Sequence, residues 1–235
     1  MAGLYIGSAP VQGLYIGSTP VQQLYKGSTL VWSKSGVRDD FNRADGALGA
    51  TWTHYGPAND YVANIVNGML RLDVPDGLIS AALKTDRIRF NAAQVSGTDY
   101  YVEFRVGTQG SGDSITGTKH RTQVFARVSD AAFTHGVGVE LLNSKLAIVR
   151  RVASTDTIMA ADCGAFAAGD IIRLSGVGNL HTLRRNGQFA GEWNDTGASA
   201  ASGTGYKSVG ARVDGSKDLL GPRRFSAGID WIEAG

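Results

Sequence analysis

The 235-residue sequence holds few of the devices that staple or anchor a chain. It has one cysteine, Cys163, which excludes an intrachain disulfide and any cysteine-based zinc cluster, so the fold must stand on packing. No stretch approaches the ~20 apolar residues of a membrane-spanning helix, so no membrane insertion is expected. The opening MAGLYIGSAP lacks the basic start and continuous apolar run of a secretory signal, and synthesis in a cytoplasm is expected. An excess of one charge is also missing: 23 Lys and Arg face 21 Asp and Glu. No basic run interleaves with aromatics, so nucleic acid is not an expected partner. The arginine pairs Arg150-Arg151, Arg184-Arg185 and Arg223-Arg224 read as solvated edges and ion pairs. Five Pro stand against 32 Gly, and 19% of residues are charged, the profile of short strands joined by tight turns.

What is present first is a repeat. LYIGSAPVQG at 4–13, LYIGSTPVQQ at 14–23 and LYKGSTLVWS at 24–33 share Leu, Tyr, Gly, Ser and Val at a period of ten. Each unit holds a Gly-Ser break followed by a run such as Val11 to Ile16. That run reads as a strand of about six residues, and three units read as a β-meander. Alternation places Val11 and Tyr15 on one side and Leu14 and Ile16 on the other, so both faces are apolar. A segment of fewer than ~40 residues cannot cover two apolar faces by itself. Other chains or a larger particle are therefore implied as partners, through an assembly arm of Leu4, Tyr5, Ile6, Val11, Leu14, Tyr15, Ile16, Val21, Leu24, Tyr25, Val31 and Trp32. Closed symmetry would let copies bury one another's strands, and a homotrimer is the copy number expected. The competing reading adds these strands to the sheet of the chain's own C-terminal domain.

The organisation is then a repeat arm at 1–33, a linker at 34–38 and a domain at 39–235. In that domain apolar residues alternate in short runs between Gly, Asn and Asp, as in a sandwich or barrel. Tyr61–Val66 and Met69–Val74 flank Asn67-Gly68, and Leu180–Arg185 and Gln188–Trp193 flank Asn186-Gly187, two strong hairpin signals. Further strands read at 78–84, 99–107, 121–129, 136–142, 145–152, 170–177, 206–213 and 225–233. Val102, Phe104 and Val106 share one face, as do Phe225, Ala227, Ile229 and Trp231 in the last strand. The segment 159–168 can hold one helical turn at most. The expected fold class is all-β, a two-sheet antiparallel sandwich.

The segment Asp39-Asp40-Phe41-Asn42-Arg43-Ala44-Asp45-Gly46-Ala47-Leu48-Gly49-Ala50-Thr51-Trp52 resembles the opening of concanavalin A-like jelly-roll domains found in virion proteins of actinobacterial phages. The Leu-Tyr-x-Gly-Ser-Thr arm resembles repeats of tail-associated and other virion proteins. The resemblance implies an opening strand paired with the closing one, Phe225–Glu233. It implies matching late strands at Gly169-Asp170-Ile171-Ile172-Arg173-Leu174 and Gly187, and a place in a virion. It leaves the ligand open, because one fold hosts many functions.

Glycosidases of this jelly-roll type carry a Glu-x-Asp-x-Glu strand, and none is present. Glu103, Glu140, Glu192 and Glu233 are far apart in sequence, so a catalytic pair would have to come from distant strands. There is no Gly-x-Ser-x-Gly elbow for a serine nucleophile, and His54, His120, His135 and His181 lie in no recognised motif. In Gly107 to Lys119 the final glycine and lysine are split by Thr118, unlike a phosphate loop. Asp40, Asn42 and Asp45 depart from calcium-loop spacing and read as turn formers. No metal or other cofactor is expected. Trp52, Tyr55 and Tyr61 are the candidate glycan contacts, while Trp193 and Trp231 fall in phase with core residues. The expected function is a non-enzymatic phage virion structural protein, a minor tail protein anchored by its arm with the sandwich displayed outward. The alternatives are a capsid decoration protein, a carbohydrate-binding module for a cell-surface glycan and a glycoside hydrolase.

Overall fold

The computed structural model describes residues 5–6, 9–10, 14–16, 19–21, 23–26, 29–33, 36–56, 61–75, 82–218 and 221–235, with side chains from Gly36 onward. The chain divides into two units, residues 1–36 and 37–235.

Among its described residues the first unit contains three antiparallel pairs: β1 (Tyr5–Ile6) with β2 (Ala9–Pro10), β3 (Leu14–Ile16) with β4 (Thr19–Val21), and β5 (Gln23–Lys26) with β6 (Thr29–Ser33). Leu14 faces Val21 and Ile16 faces Thr19, so each ten-residue unit closes on itself. The strand read from Val11 to Ile16 in a meander is described only at Leu14–Ile16, where it pairs with Thr19–Val21; residues 11–13 lie outside the described residues. The side chains of the twelve arm residues lie outside the described residues.

The second unit runs, in chain order, through β7 (Val37–Asp39), β8 (Gly46–Ala47), β9 (Trp52–His54), β10 (Ala63–Ile65), β11 (Leu70–Leu72), β12 (Lys84–Phe90), β13 (Tyr100–Thr108), β14 (Thr122–Val128) and β15 (Gly136–Leu142). It continues through β16 (Lys145–Val152), β17 (Thr155–Ala160), β18 (Ile171–Val177), β19 (Leu180–Arg185), β20 (Gln188–Asn194), β21 (Ser208–Lys217), β22 (Arg223–Phe225) and β23 (Gly228–Ala234). One sheet has the order β20-β19-β18-β13-β23-β11-β10-β8, with β7 also on β23, and the other β17-β16-β15-β14-β21-β12-β9, with β22 on β21. Among the described residues there is no helix. The expected two-sheet antiparallel jelly-roll sandwich forms.

Its core is the apolar half of each alternating strand. Val102, Phe104 and Val106 of β13 are fully buried, opposite Val124, Val139, Ile148, Ala211 and Val213 of the second sheet. Each large side chain so buried contributes ~1.5–3 kcal/mol. Both Asn-Gly hairpins form, with φ of 55° and 68° at Asn67-Gly68 and 50° and 79° at Asn186-Gly187, the doubly left-handed turn that this pair favours. The opening strand β7 does pair with the closing one, Glu233 facing Arg38.

Three sequence readings shift. Of the strand read at 78–84, residues 78–81 lie outside the described residues, and the described strand, β12, begins at Lys84 and runs on to Phe90. The run 225–233 divides between β22 and β23, which lie in different sheets. Within β23 an irregularity moves the partner from Arg105–Trp231 to Val106–Ile229, skipping Asp230 and reversing the phase. Ile229 and Ile232 are therefore core residues, while Trp231 lies outside it under the Arg38 guanidinium, 5.1 Å from the ring centre.

Candidate arginine-carboxylate site on the second sheet

Most of β14, β15 and β21 is buried on both faces. On the core side this is ordinary. On the other side it covers polar and charged groups, which enter a protein interior only with partners. Register aligns four of them across adjacent strands: Arg87 of β12 faces Arg212 of β21, Arg212 faces Gln123 of β14, and Gln123 faces Glu140 of β15.

These residues form a connected network. Arg212 donates to both oxygens of Asp214, at 2.8 and 3.0 Å, and to Asp156 Oδ2 at 3.2 Å. Arg151 donates to Asp156 Oδ1 at 2.6 Å and to the Phe133 carbonyl at 2.8 Å. Gln123 Nε2 donates to Glu140 Oε2 at 2.7 Å, and Arg121 Nη1 donates to the same oxygen at 3.3 Å. Arg89 donates to Tyr55 Oη and Ser208 Oγ, and that hydroxyl donates to Asp130.

The loop between β14 and β15 closes part of this face. Phe133 lies edge-on to Phe125, ring centres 5.5 Å apart, and forms with Val128, Val149 and Tyr55 a small apolar cluster separate from the main core. Gly210 makes room for it, since a Cβ there would collide with the Phe133 ring and the Ile88 carbonyl.

The network is not fully satisfied. Arg87 Nε, Arg121 Nε and Gln123 Oε1 are buried without a hydrogen-bond partner. Burial, with Arg151 and Arg212 nearby, lowers the Arg87 guanidinium to about 10, although Asp156 and Asp214 partly oppose the fall. The part-exposed guanidinium edges of Arg87, Arg89 and Arg121 can donate to a polyhydroxyl or anionic ligand. Among the described residues no group of three or more His, Cys, Asp or Glu is placed to hold a metal.

Of the candidate glycan contacts, Tyr55 alone borders this face. Trp52 is 4% exposed, edge-on to Phe90 at 5.1 Å between ring centres, and belongs to the core. Its Nε1 donates to Asp39 Oδ2 at 2.8 Å. Tyr61 is 6% exposed and lies under Lys84. Both rings are spent on packing and offer no platform to a sugar. The segment Asp39–Trp52 is instead a structural corner, in which Asp39 also accepts from Arg43 and from the Phe41 amide. Burial pushes the Asp39 carboxyl up, but the bonds from Arg43, Trp52 and Phe41 outweigh it and hold it below its usual value. Asp40 and Asp45 accept backbone amides of Asn42 and Asn67, as turn residues do. Trp193 packs against the core and stacks on His181, ring centres 4.9 Å apart.

The charged residues of the second sheet were not legible as a site. Arg151, read as one of a solvated pair, is 5% exposed. The available signal was a polar alternation such as Arg121, Gln123 and Arg127 within a strand, which equally describes a solvent face.

Solved structures share the fold at low identity. An endo-β-galactosidase from Clostridium perfringens that releases GlcNAcα1-4Gal has 11% identity and a TM-score of 0.54, over 85% of this chain and 62% of that one. LamA from Z. galactanivorans, crystallised with laminaritriose and laminaritetraose, has 10% identity and a TM-score of 0.52, over 85% and 98%. The endo-β-1,3-glucanase from Pyrococcus furiosus has 10% identity and a TM-score of 0.51, over 95% and 97%. The likeness is one of fold, the concanavalin A-like jelly roll. No curated protein matches the chain. Residues 18–234 match the family model described as "Domain of unknown function (DUF7257)", and the chain belongs to that family.

Proposed function

We propose that the protein is a non-enzymatic display module: its hairpin repeats dock it into a larger particle, and its sandwich binds saccharide on the outer face of the second sheet. The observation that carries the binding role is that face, where the part-exposed guanidiniums of Arg87, Arg89 and Arg121 and the ring of Tyr55 border a buried network whose polar atoms are not all paired. A saccharide hydroxyl accepts from such guanidinium edges, and the Tyr55 ring can pack against a sugar. Hydrolysis is disfavoured because Glu140, Asp156 and Asp214 are each engaged by arginine, and a carboxyl acting as general acid would have to give up an ion pair.

The particle is proposed to be a phage virion, with the protein as a minor tail component; a decoration role on the capsid uses the same arm. The three hairpin units support this reading, since an isolated two-stranded hairpin is marginal in water and gains stability by adding to other strands. A glycan array tests the binding role, and an array without hits refutes it. For the arm, deletion of residues 1–33 should leave a folded sandwich that no longer assembles, seen by light scattering and by incorporation into particles. Normal assembly of the truncated protein would refute the docking role.

A further inference from the structure

We infer that the saccharide is an acidic one, its carboxylate or phosphate seated at the part-exposed Arg87, with Arg121 taking a neighbouring polar group. This rests on the saccharide-binding reading above and narrows it to a charge class.

Three observations support the narrowing. First, charge is shared unevenly around Asp156. This carboxylate lies 2.6 Å from Arg151, 3.2 Å from Arg212 and 4.0 Å from Arg87, so three guanidiniums draw on one anion and Arg87 has the weakest claim. Second, the orphaned atoms at Arg87 and Arg121 are both Nε donors. What a ligand reaches is the remaining, part-exposed edge of each guanidinium, where an anion offsets the weakly shared charge of Arg87, and charge-assisted bonds are about twice as strong as neutral ones. Third, the reachable part of the network is cationic. The side chains of Arg87 and Arg121 are 23% and 31% exposed, whereas those of Asp156, Glu140 and Asp214 are 14%, 6% and 0% exposed. An approaching ligand therefore meets guanidinium edges in front of screened carboxylates, an arrangement that attracts anions.

Arg87 is also badly placed as a purely structural residue. A half-buried cation with its nearest carboxylate at 4.0 Å and no partner at Nε contributes little to stability, which suits a group kept for binding.

The full-length protein should be applied to an array of neutral and acidic glycans. It should then be titrated calorimetrically with oligogalacturonate, with neutral galactan oligomers of equal length and with glycerol-phosphate oligomers. An acidic ligand should bind at least tenfold tighter than galactan, and whether oligogalacturonate or glycerol phosphate binds identifies carboxylate or phosphate as the anion. Arg87→Gln should weaken that binding about tenfold. Arg105→Gln, which removes an exposed arginine of the other sheet, should leave it unchanged. The melting temperature of Arg87→Gln should equal or exceed that of the parent; a fall would make Arg87 a structural ion-pair member and overturn the inference. Hits confined to neutral glycans would also overturn it and leave the saccharide reading standing. An array with no hits of either class would overturn both.

Discussion

The hairpin joining β16 to β17 turns through Ala153 and Ser154, at φ of 47° and 69°. Both residues sit in the left-handed region with side chains that disfavour it. An L-residue there costs roughly 1–2 kcal/mol relative to the right-handed form. Ser154→Gly removes that strain but makes the unfolded chain freer by about 0.4–1 kcal/mol, so a net stabilisation of about 1 kcal/mol is expected. For a domain the size of this sandwich that raises the melting temperature by about 2–4 °C, measurable by scanning calorimetry. Ser144→Gly, in a second glycine-free turn of this kind among the described residues, at φ of 60°, should do the same. The turn matters beyond stability because it sets Val152 against Thr155 and Arg151 against Asp156, the carboxylate that three guanidiniums share. An unchanged or lowered melting temperature in Ser154→Gly would refute the left-handed turn, and with it the register that brings Asp156 to the site.

Gly210→Ala should be severely destabilising, by about 3 kcal/mol or to the point of insolubility, since the new Cβ meets the Ile88 carbonyl as well as the Phe133 ring and backbone cannot move aside. Denaturant unfolding measures it, and a native-like midpoint would refute the close approach of the Phe133 loop. His181 supplies a pH dependence: burial, and then Arg127, lower its imidazole to about 4, with Asp195 partly opposing. The unfolded imidazole takes its proton near 6.5 and the folded one only near 4, so the unfolded state gains protons first as the pH falls. Stability is therefore full above pH ~6.5 and declines by roughly 3 kcal/mol towards pH 4. Urea midpoints at pH 7 and 5 should differ in the parent and converge in His181→Gln; an equal difference in both would refute the assignment.

Much of the fold could be read directly. The Asn-Gly pairs name their own turn geometry, so both hairpins follow from composition alone. The alternation of Val102, Phe104 and Val106 names its buried face. Strand β17 was missed because Ala153-Ser154 carries no turn signature, and β12 was not read beyond Lys84 because KTDRIRF alternates charge with few apolar residues. Trp231 was assigned to the core because alternation cannot anticipate the irregularity at Asp230. Trp52 and Tyr61 looked available because an aromatic residue in sequence does not state which face it serves.

The sequence by itself determined the all-β class, the period-ten repeat, the two Asn-Gly turns and the inner face of β13, all of which depend on residues close together in the chain. Only the tertiary structure decided that pairing in the arm closes within each unit, and that Arg87, Arg121, Gln123, Glu140, Asp156, Arg212 and Asp214 meet on one face. The physical reason is separation. These groups come from five strands and the approach to β14, and a charge spread thinly along a sequence looks solvated until sheet register lines it up and the Phe133 loop covers it.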